Sequence, residues 1–206
     1  NRYCFTMSRY ANEPNPYNAG TDLEGVLLRN TIKDGMRWTY IDEMQEYVAI
    51  PLSQFGVRIF YNQELLHKLT GRTAAPKTYR EFIAACEEIR RQKTPDGKPY
   101  TAIAGSKYHM GMWDFSMLDF LTYPAIRKAD FNRDGSLGGD ESYVADRAGL
   151  VDLNFPAYKA RFQMLRELTD QFQTGFSGLT RDEAVFLFVQ QTAVFMATGT
   201  WDARSL

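Results

Sequence analysis

Two strand-like segments separated by two capped helices constrain the fold of this chain more than any other feature. Residues 57–61 and 100–104 are short runs of the kind typical of buried strands. Asn62 follows the first run and favours the start of a short helix, and Thr78-x-x-Glu81 is a capping box that opens a second helix. Strands that alternate with helices of this size indicate an α/β layered domain rather than a helix bundle or a β-sandwich.

The same signals predict the remaining elements. Capping residues and apolar spacing predict helices at residues 22–34 and 113–121, a helix capped by Asn154, and one opened by Thr180-x-x-Glu183. Short apolar runs beside turn residues predict strands at residues 37–41, 46–51 and 192–198. The first 20 residues, which end in EPNPYNAG, are rich in loop-forming residues.

Residues 130–141 (DFNRDGSLGGDE) have the pattern of a calcium-binding loop of the EF-hand type. Ca²⁺ takes 6–8 oxygen ligands, which such a loop supplies from fixed positions. Here those positions are Asp130, Asn132, Asp134, Ser136 through its carbonyl, Gly138 through a water molecule, and Glu141 as the bidentate ligand. Gly135 stands where the loop turns sharply. The sequence therefore predicts a structural Ca²⁺ site, the alternative being a solvated turn rich in Asp and Gly.

Charge and composition exclude several classes of partner. The net charge is −1 and the pI is about 6.2, so no basic field attracts nucleic acid or an anionic membrane. No window approaches the 18 or so apolar residues that a membrane span requires. The calcium loop has no partner loop elsewhere in the chain, which favours an extracytoplasmic setting with millimolar calcium over a paired cytosolic sensor.

The chain carries no sequence motif of a known catalytic or nucleotide-binding site. Neither a glycine-rich phosphate loop nor a nucleophile elbow is present. Of the two histidines, His67 is expected at the surface, and His109 lies in a strand-to-helix connection where facing a cleft is one alternative. Cys86 shares an apolar helical face and is expected to be a buried free thiol. A catalytic triad or a zinc site is therefore not expected, and no carboxylate pair is marked above the others.

Aromatic, amide and charged residues are concentrated where strands end and helices begin. In open α/β sheets, ligands bind outside the carboxyl ends of the strands. A flat aromatic ring beside planar hydrogen-bonding groups is suited to a sugar, because the ring covers C–H faces while the polar groups pair with hydroxyls. Each Trp has core filling as its alternative role. The candidate ligand-binding residues are Gln54, Phe55, Arg58, Lys107, Tyr108, Trp113, Asp114, Trp201 and Asp202.

Three motifs in order resemble the family 1 extracellular solute-binding proteins of bacterial ABC sugar importers. They are Phe60-Tyr61-Asn62 at the end of a strand, the segment PKTYREF at residues 76–82, and Gly199-Thr200-Trp201 after a strand of small residues. The resemblance covers residues 45–206. It implies a type II periplasmic-binding-protein-like α/β lobe that is part of a two-lobed protein, with residues 51–206 as the second lobe and residues 1–50 as a remnant of the first.

The resemblance also implies a function. Such proteins are monomeric, extracytoplasmic (periplasmic or lipid-anchored) and non-catalytic, and they deliver a sugar or oligosaccharide from a cleft between the lobes to a membrane permease. The calcium loop is then a structural insertion. Two alternatives remain at this point: a fragment of a carbohydrate-active enzyme with an acid pair such as Asp114 and Asp202, and a calcium-dependent protein-interaction module.

Overall fold

The protein divides into two compact units, Asn1–Gln54 and Phe55–Leu206. The computed structural model describes residues 5–53, 55–131, 137–150, 152 and 154–206. Each unit has its own buried cluster of apolar side chains, with Met36 and Tyr47 at the centre of the first. Among the described helices, none combines the length and apolar character that crossing a membrane requires.

The first unit is built mainly from turns. Its helix α1 spans Ser8–Ala11, and its two strands, β1 (Tyr40–Ile41) and β2 (Glu46–Tyr47), pair antiparallel. The strands predicted at residues 37–41 and 46–51 are therefore confirmed in shorter form. The rings of Tyr40 and Tyr47 meet edge to face across this pair, with their centroids 4.9 Å apart.

The prediction of a helix at residues 22–34 is wrong. This segment consists mostly of turns, with one 3-10 turn at Leu28–Thr31 and a single β-bridge between Leu27 and Pro14. Gly25 adopts a positive φ of 76°, which breaks any helix, and the Glu24 carboxylate accepts a hydrogen bond from the Gly20 amide at 2.8 Å. The capping pattern at Thr21 therefore closes a turn instead of starting a helix.

The second unit is the layered α/β domain that the sequence predicts. Its strands are β3 (Val57–Tyr61), β4 (Thr101–Ile103) and β5 (Ala193–Gly199). Its helices are α2 (Gln63–Thr70), α3 (Tyr79–Arg90), α4 (Lys107–Met117), α5 (Tyr123–Ile126), α6 (Gly139–Arg147), α7 (Pro156–Thr169) and α8 (Arg181–Val189). The sheet order is β3-β5-β4, with β3 antiparallel and β4 parallel to the central β5.

Local capping chemistry starts three of these helices as predicted. The side chains of Asn62, Thr78 and Thr180 accept hydrogen bonds from backbone amides in the first turns of α2, α3 and α8. Each cap satisfies an amide that has no partner within the helix. Two boundaries differ from the prediction. The residue before α7 is Phe155 rather than Asn154, and α4 begins at Lys107, well before the predicted residue 113.

Strand β5 is the centre of the core, and every one of its residues is buried. Phe195 packs against Phe82 of α3 with ring centroids 4.8 Å apart, while Met196 belongs to a second cluster that includes Phe188 of α8. Helices on both faces explain why β5 reads as a continuous apolar run rather than an alternating one. Cys86 is a buried free thiol, as predicted, and burial raises the pKa of this thiol.

Candidate functional site

Three chain segments meet at one edge of the sheet, namely the edge at which β4 and β5 end and β3 begins. β5 ends at Gly199, and its antiparallel partner β3 begins beside it, because Val57 pairs with Gly199. β4 runs parallel to β5 and leads through Gly105 and Ser106 into helix α4. The candidate residues 107–108 and 201–202 follow β4 and β5, and residues 55–58 lie at the start of the antiparallel β3 beside them. Ligands of α/β sheets bind outside the carboxyl ends of the strands, which here are the ends of β4 and β5.

An exposed aromatic pair marks this edge. The rings of Phe55 and Trp201 meet edge to face with centroids 5.9 Å apart, and they remain 55% and 44% exposed. The backbone beneath them is fixed, since the Gly56 amide donates to Thr200 Oγ1 at 3.2 Å and the Thr200 amide donates to the Gly56 carbonyl at 2.9 Å. Two rings on a rigid backbone form an apolar surface that is open to solvent.

Gly199 makes the position of Trp201 possible. A Cβ atom at Gly199 would lie 2.2 Å from atoms of the Trp201 indole, so the ring occupies the space that any other residue would fill. The backbone of Gly199 is extended, with φ of −73°, so the requirement for glycine is the close approach of the ring and not the backbone conformation.

Two exposed basic residues, Arg58 and Lys107, belong to the same segments as the candidate site. Arg58 is exposed, and its Nη1 donates to the backbone carbonyl of the preceding residue, Val57, at 2.7 Å. Lys107, at the first turn of α4, is exposed. Both can reach a ligand without breaking an ion pair, because no carboxylate within the described residues bonds either of them.

Arg181, which the sequence did not single out, lies at the centre of the edge. Its guanidinium donates to Asp202 and to Asp182, and its Cζ atom is 5.6 Å from the centroid of the Tyr108 ring. The capping box at Thr180 fixes Arg181 as the first residue of α8, but no local signal shows that α8 begins beside Asp202.

Three predicted ligand-binding residues have other roles in this structure. Trp113 is a core residue, 4% exposed, and its ring packs against Phe82 with centroids 5.6 Å apart. The Asp114 carboxylate accepts from Arg161 Nε at 2.7 Å, which joins α4 to α7. Asp202 is also a buried residue, 6% exposed, and its carboxylate is already bonded by Arg181 and Thr198. Gln54 lies outside the described residues.

His109 is buried behind the edge instead of facing a cleft. It has no exposed surface, and its Nδ1 is 2.9 Å from Ser106 Oγ. Burial, with a smaller contribution from the positive charge of Arg181, lowers the pKa of His109 from 6.5 to about 4. The imidazole is therefore neutral at pH 7, which spares the site a buried positive charge next to Arg181.

We expect His109 to make the protein less stable in mild acid. Below pH 6.5 the unfolded chain takes up a proton at this residue and the folded protein does not, so the free energy of unfolding falls until the pH reaches about 4. The pKa difference corresponds to a loss of up to about 3 kcal/mol. Urea unfolding at several pH values between 7.5 and 4 measures it, as the difference between the wild type and His109→Gln.

His67→Gln is the matched control, because His67 is exposed on α2 as predicted. This variant should follow the wild type at every pH. A difference between the wild type and His109→Gln that does not change with pH contradicts the expectation. Should His109→Gln fail to fold, NMR titration of the wild-type His109 ring gives its pKa directly.

The predicted calcium ligands are only partly within the described residues. Asn132, Asp134 and Ser136 lie outside them. Helix α6 begins at Gly139, the tenth loop position, and the Glu141 carboxylate turns back to accept from the Gly138 amide at 3.0 Å. Among the residues that the structure describes, no three His, Cys, Asp or Glu side chains form a metal-binding group. The calcium site stays a prediction.

Comparison with known proteins places the fold and the family. A protein solved in work on xylan utilization by the thermophilic bacterium Caldanaerobius polysaccharolyticus has 24% sequence identity and a TM-score of 0.53, over 85% of this chain and 42% of that one. A chitin oligosaccharide binding protein has 13% identity and a TM-score of 0.57, over 97% of this chain and 42% of that one. The chain thus spans about two fifths of the length of these relatives. None of the curated proteins compared with it matches.

These likenesses confirm the predicted α/β, periplasmic-binding-protein-like lobe. The family model for bacterial extracellular solute-binding proteins matches residues 16–206. The match covers nearly the whole chain, and the chain therefore belongs to this family.

Proposed function

We propose that this chain consists mostly of the second lobe, with a remnant of the first, of an extracytoplasmic carbohydrate-binding protein, which delivers its sugar to an ABC permease without catalysis. The observation that carries the proposal is the exposed Phe55–Trp201 pair at the strand ends. An aromatic surface of this kind covers the C–H face of a sugar ring, while Arg58 and Lys107 supply donors to its hydroxyls. The permease, the monomeric state and the periplasmic or lipid-anchored location are parts of the same proposal.

What the structural relatives bind supports a sugar as the ligand. One relative is a chitin oligosaccharide binding protein, and the other comes from work on xylan utilization. Both supply a class of candidate ligands, β-linked oligosaccharides, which present flat apolar faces to an aromatic ring. The sugar's identity, length and linkage are open to measurement.

The proposal is tested by thermal melts of the full-length natural protein in millimolar Ca²⁺ against a panel of sugars. The panel contains monosaccharides together with xylo- and chito-oligosaccharides. We expect one sugar class to raise the melting temperature by several degrees, because a ligand that binds only the folded state stabilises it, and we expect that sugar to remain unconsumed. Flat melts across the panel contradict the proposal, and consumption of the bound sugar contradicts its non-catalytic part.

The geometry weighs against the enzyme alternative. An acid pair must place two carboxyl groups on either side of one scissile bond. Here the carboxylate of Asp114 is bonded by Arg161, and that of Asp202 is bonded by Arg181 and Thr198. Two carboxylates held in separate ion pairs are not free to face one substrate.

We further propose that residues 130–141 bind a structural Ca²⁺. The donors are oxygen atoms throughout, as this cation prefers, and the described flank agrees with such a loop because Glu141 is nearly buried and turns back towards Gly138. The ion would fasten α6 to the segment before it.

Replacing Glu141 by Gln is expected to remove most of this calcium stabilisation. At a hundredfold excess over Kd the ion adds roughly 2.7 kcal/mol, so the variant should melt several degrees lower in calcium and respond little to chelator. Differential scanning calorimetry with and without EDTA measures both effects. Asp140→Asn is the matched control, since this exposed acid occupies a loop position that supplies no ligand. A wild-type melt that chelator leaves unchanged contradicts the calcium proposal.

A further inference from the structure

Asp202 follows Trp201 directly, but its carboxylate faces inward. One oxygen accepts from Arg181 Nη2, and the other accepts from Thr198 Oγ1 at 2.6 Å. A buried carboxylate is tolerated only when charged or polar groups pair with it, and both of these partners belong to the protein. Asp202 therefore has little to offer a ligand, although it occupies the position next to the ligand-facing ring.

Arg181 connects three elements through one guanidinium. It is the first residue of α8, it bonds Asp202 in the turn after β5, and it lies over the ring of Tyr108 in the first turn of α4. Its planar group suits both contacts, since guanidinium pairs with carboxylate in a fixed geometry and stacks on aromatic faces. Loss of this side chain would remove the bond between the turn and α8, and with it the link through Arg181 to Tyr108 of α4.

The turn that Arg181 holds carries the exposed indole. Thr200, Trp201 and Asp202 form one 3-10 turn, in which Thr200 is fixed to Gly56 and Asp202 to Arg181. The indole lies between two anchored residues and over Gly199. The direction of its ring is thus set by anchors on either side, of which only the bond between Asp202 and Arg181 comes from outside the β3–β5 pair.

We propose that Arg181 and Asp202 are positioning residues, which act as one ion pair to hold Trp201 in its sugar-binding orientation. The inference rests on the proposed function. It assigns Asp202 a role in binding that is carried through Trp201 and not through contact with the sugar. It also explains why the guanidinium of the partly exposed Arg181 bonds protein groups at an edge where ligands bind.

The test combines affinity with a direct signal from the indole. The full-length protein is labelled with 5-fluorotryptophan, and the fluorine signal of Trp201 is assigned by its loss in Trp201→Phe. In Arg181→Gln, Asp202→Asn and the double variant, we expect this signal to shift or broaden without ligand, while that of the buried Trp113 stays in place. The Kd for xylotriose or chitotriose, whichever raises the melting temperature of the wild type more, should rise at least fivefold. The double variant should be no weaker than either single variant within about twofold, as expected for one unit.

Asp114→Asn is the matched control, because it breaks an ion pair of the same chemistry between α4 and α7 in the same unit. It should lower the melting temperature without moving the Trp201 signal. An unmoved Trp201 signal or an unchanged Kd in Arg181→Gln overturns the inference. Because Arg181 is partly exposed, Arg181→Gln remains informative if Asp202→Asn does not fold. If Trp201→Ala itself leaves sugar binding intact, the proposed function fails instead, so the two failures are distinguishable.

Discussion

Trp201→Ala is expected to weaken sugar binding by about 30-fold, or about 2 kcal/mol. The indole is 44% exposed at the strand-end edge and forms the larger ring of the pair with Phe55, so its removal takes away a large share of the apolar surface offered to the ligand. Little stability should be lost, because the ring is not part of the core. Isothermal titration of the full-length protein with the sugar found in the melts measures the effect.

The variant Phe162→Ala provides the control for this result. Phe162 is an exposed ring on α7, with 52% exposure, and is not among the strand-end residues. Its removal should leave the affinity within twofold of the wild type, and Trp201→Phe should retain part of the binding because a flat ring remains. Equal losses in Trp201→Ala and Phe162→Ala indicate a general effect of surface aromatics and contradict the site.

Gly105→Ala is expected to destabilise the protein by about 3 kcal/mol, and thus to lower its melting temperature by roughly 10 °C. A Cβ atom at this position would lie 2.2 Å from the ring of Phe172, which is buried and packs edge to face on Phe176. The backbone cannot move away either, because the Gln173 side chain bonds both the amide and the carbonyl of Gly105. Chemical denaturation compared with the wild type measures the loss.

Gly178→Ala serves as the comparison for that measurement. No heavy atom lies within 4 Å of a Cβ atom there, so the change should stay within about 0.5 kcal/mol of the wild type. Phe172→Leu introduced together with Gly105→Ala should recover part of the loss by giving the new methyl group room. Wild-type stability in Gly105→Ala contradicts the packing described at this position.

The elements that the sequence predicts correctly share a local cause. Asn62, Thr78 and Thr180 each satisfy an amide within a few residues, so the start of the helix depends on nearby atoms alone. The segment at residues 22–34 carries a similar pattern and still forms turns. There the Leu28 amide donates to the carbonyl of Glu13, a partner outside the segment, and Gly25 takes a left-handed conformation. Helix propensity is a weak local preference, and in this segment the hydrogen bond to Glu13 outweighs it.

The candidate site divides in the same way. The sequence locates the strand boundaries, beside which the structure has Phe55, Arg58, Lys107, Tyr108 and Trp201. Their role in ligand binding stays a prediction. The sequence does not show which face of a helix is buried, and so it cannot distinguish the core ring of Trp113 from the exposed ring of Trp201.

By itself, the sequence determined the α/β layering, most helix starts and the edge of the sheet where aromatic residues gather. Only the tertiary structure decided that Asp202 turns inward to Arg181, a residue 21 positions earlier in the chain. Helix caps and strand patterns depend on residues that are close together in the sequence, so their relative positions are limited by the covalent chain itself. The partner of a buried charge is chosen by whichever elements pack beside it, and that information exists only once the chain has folded.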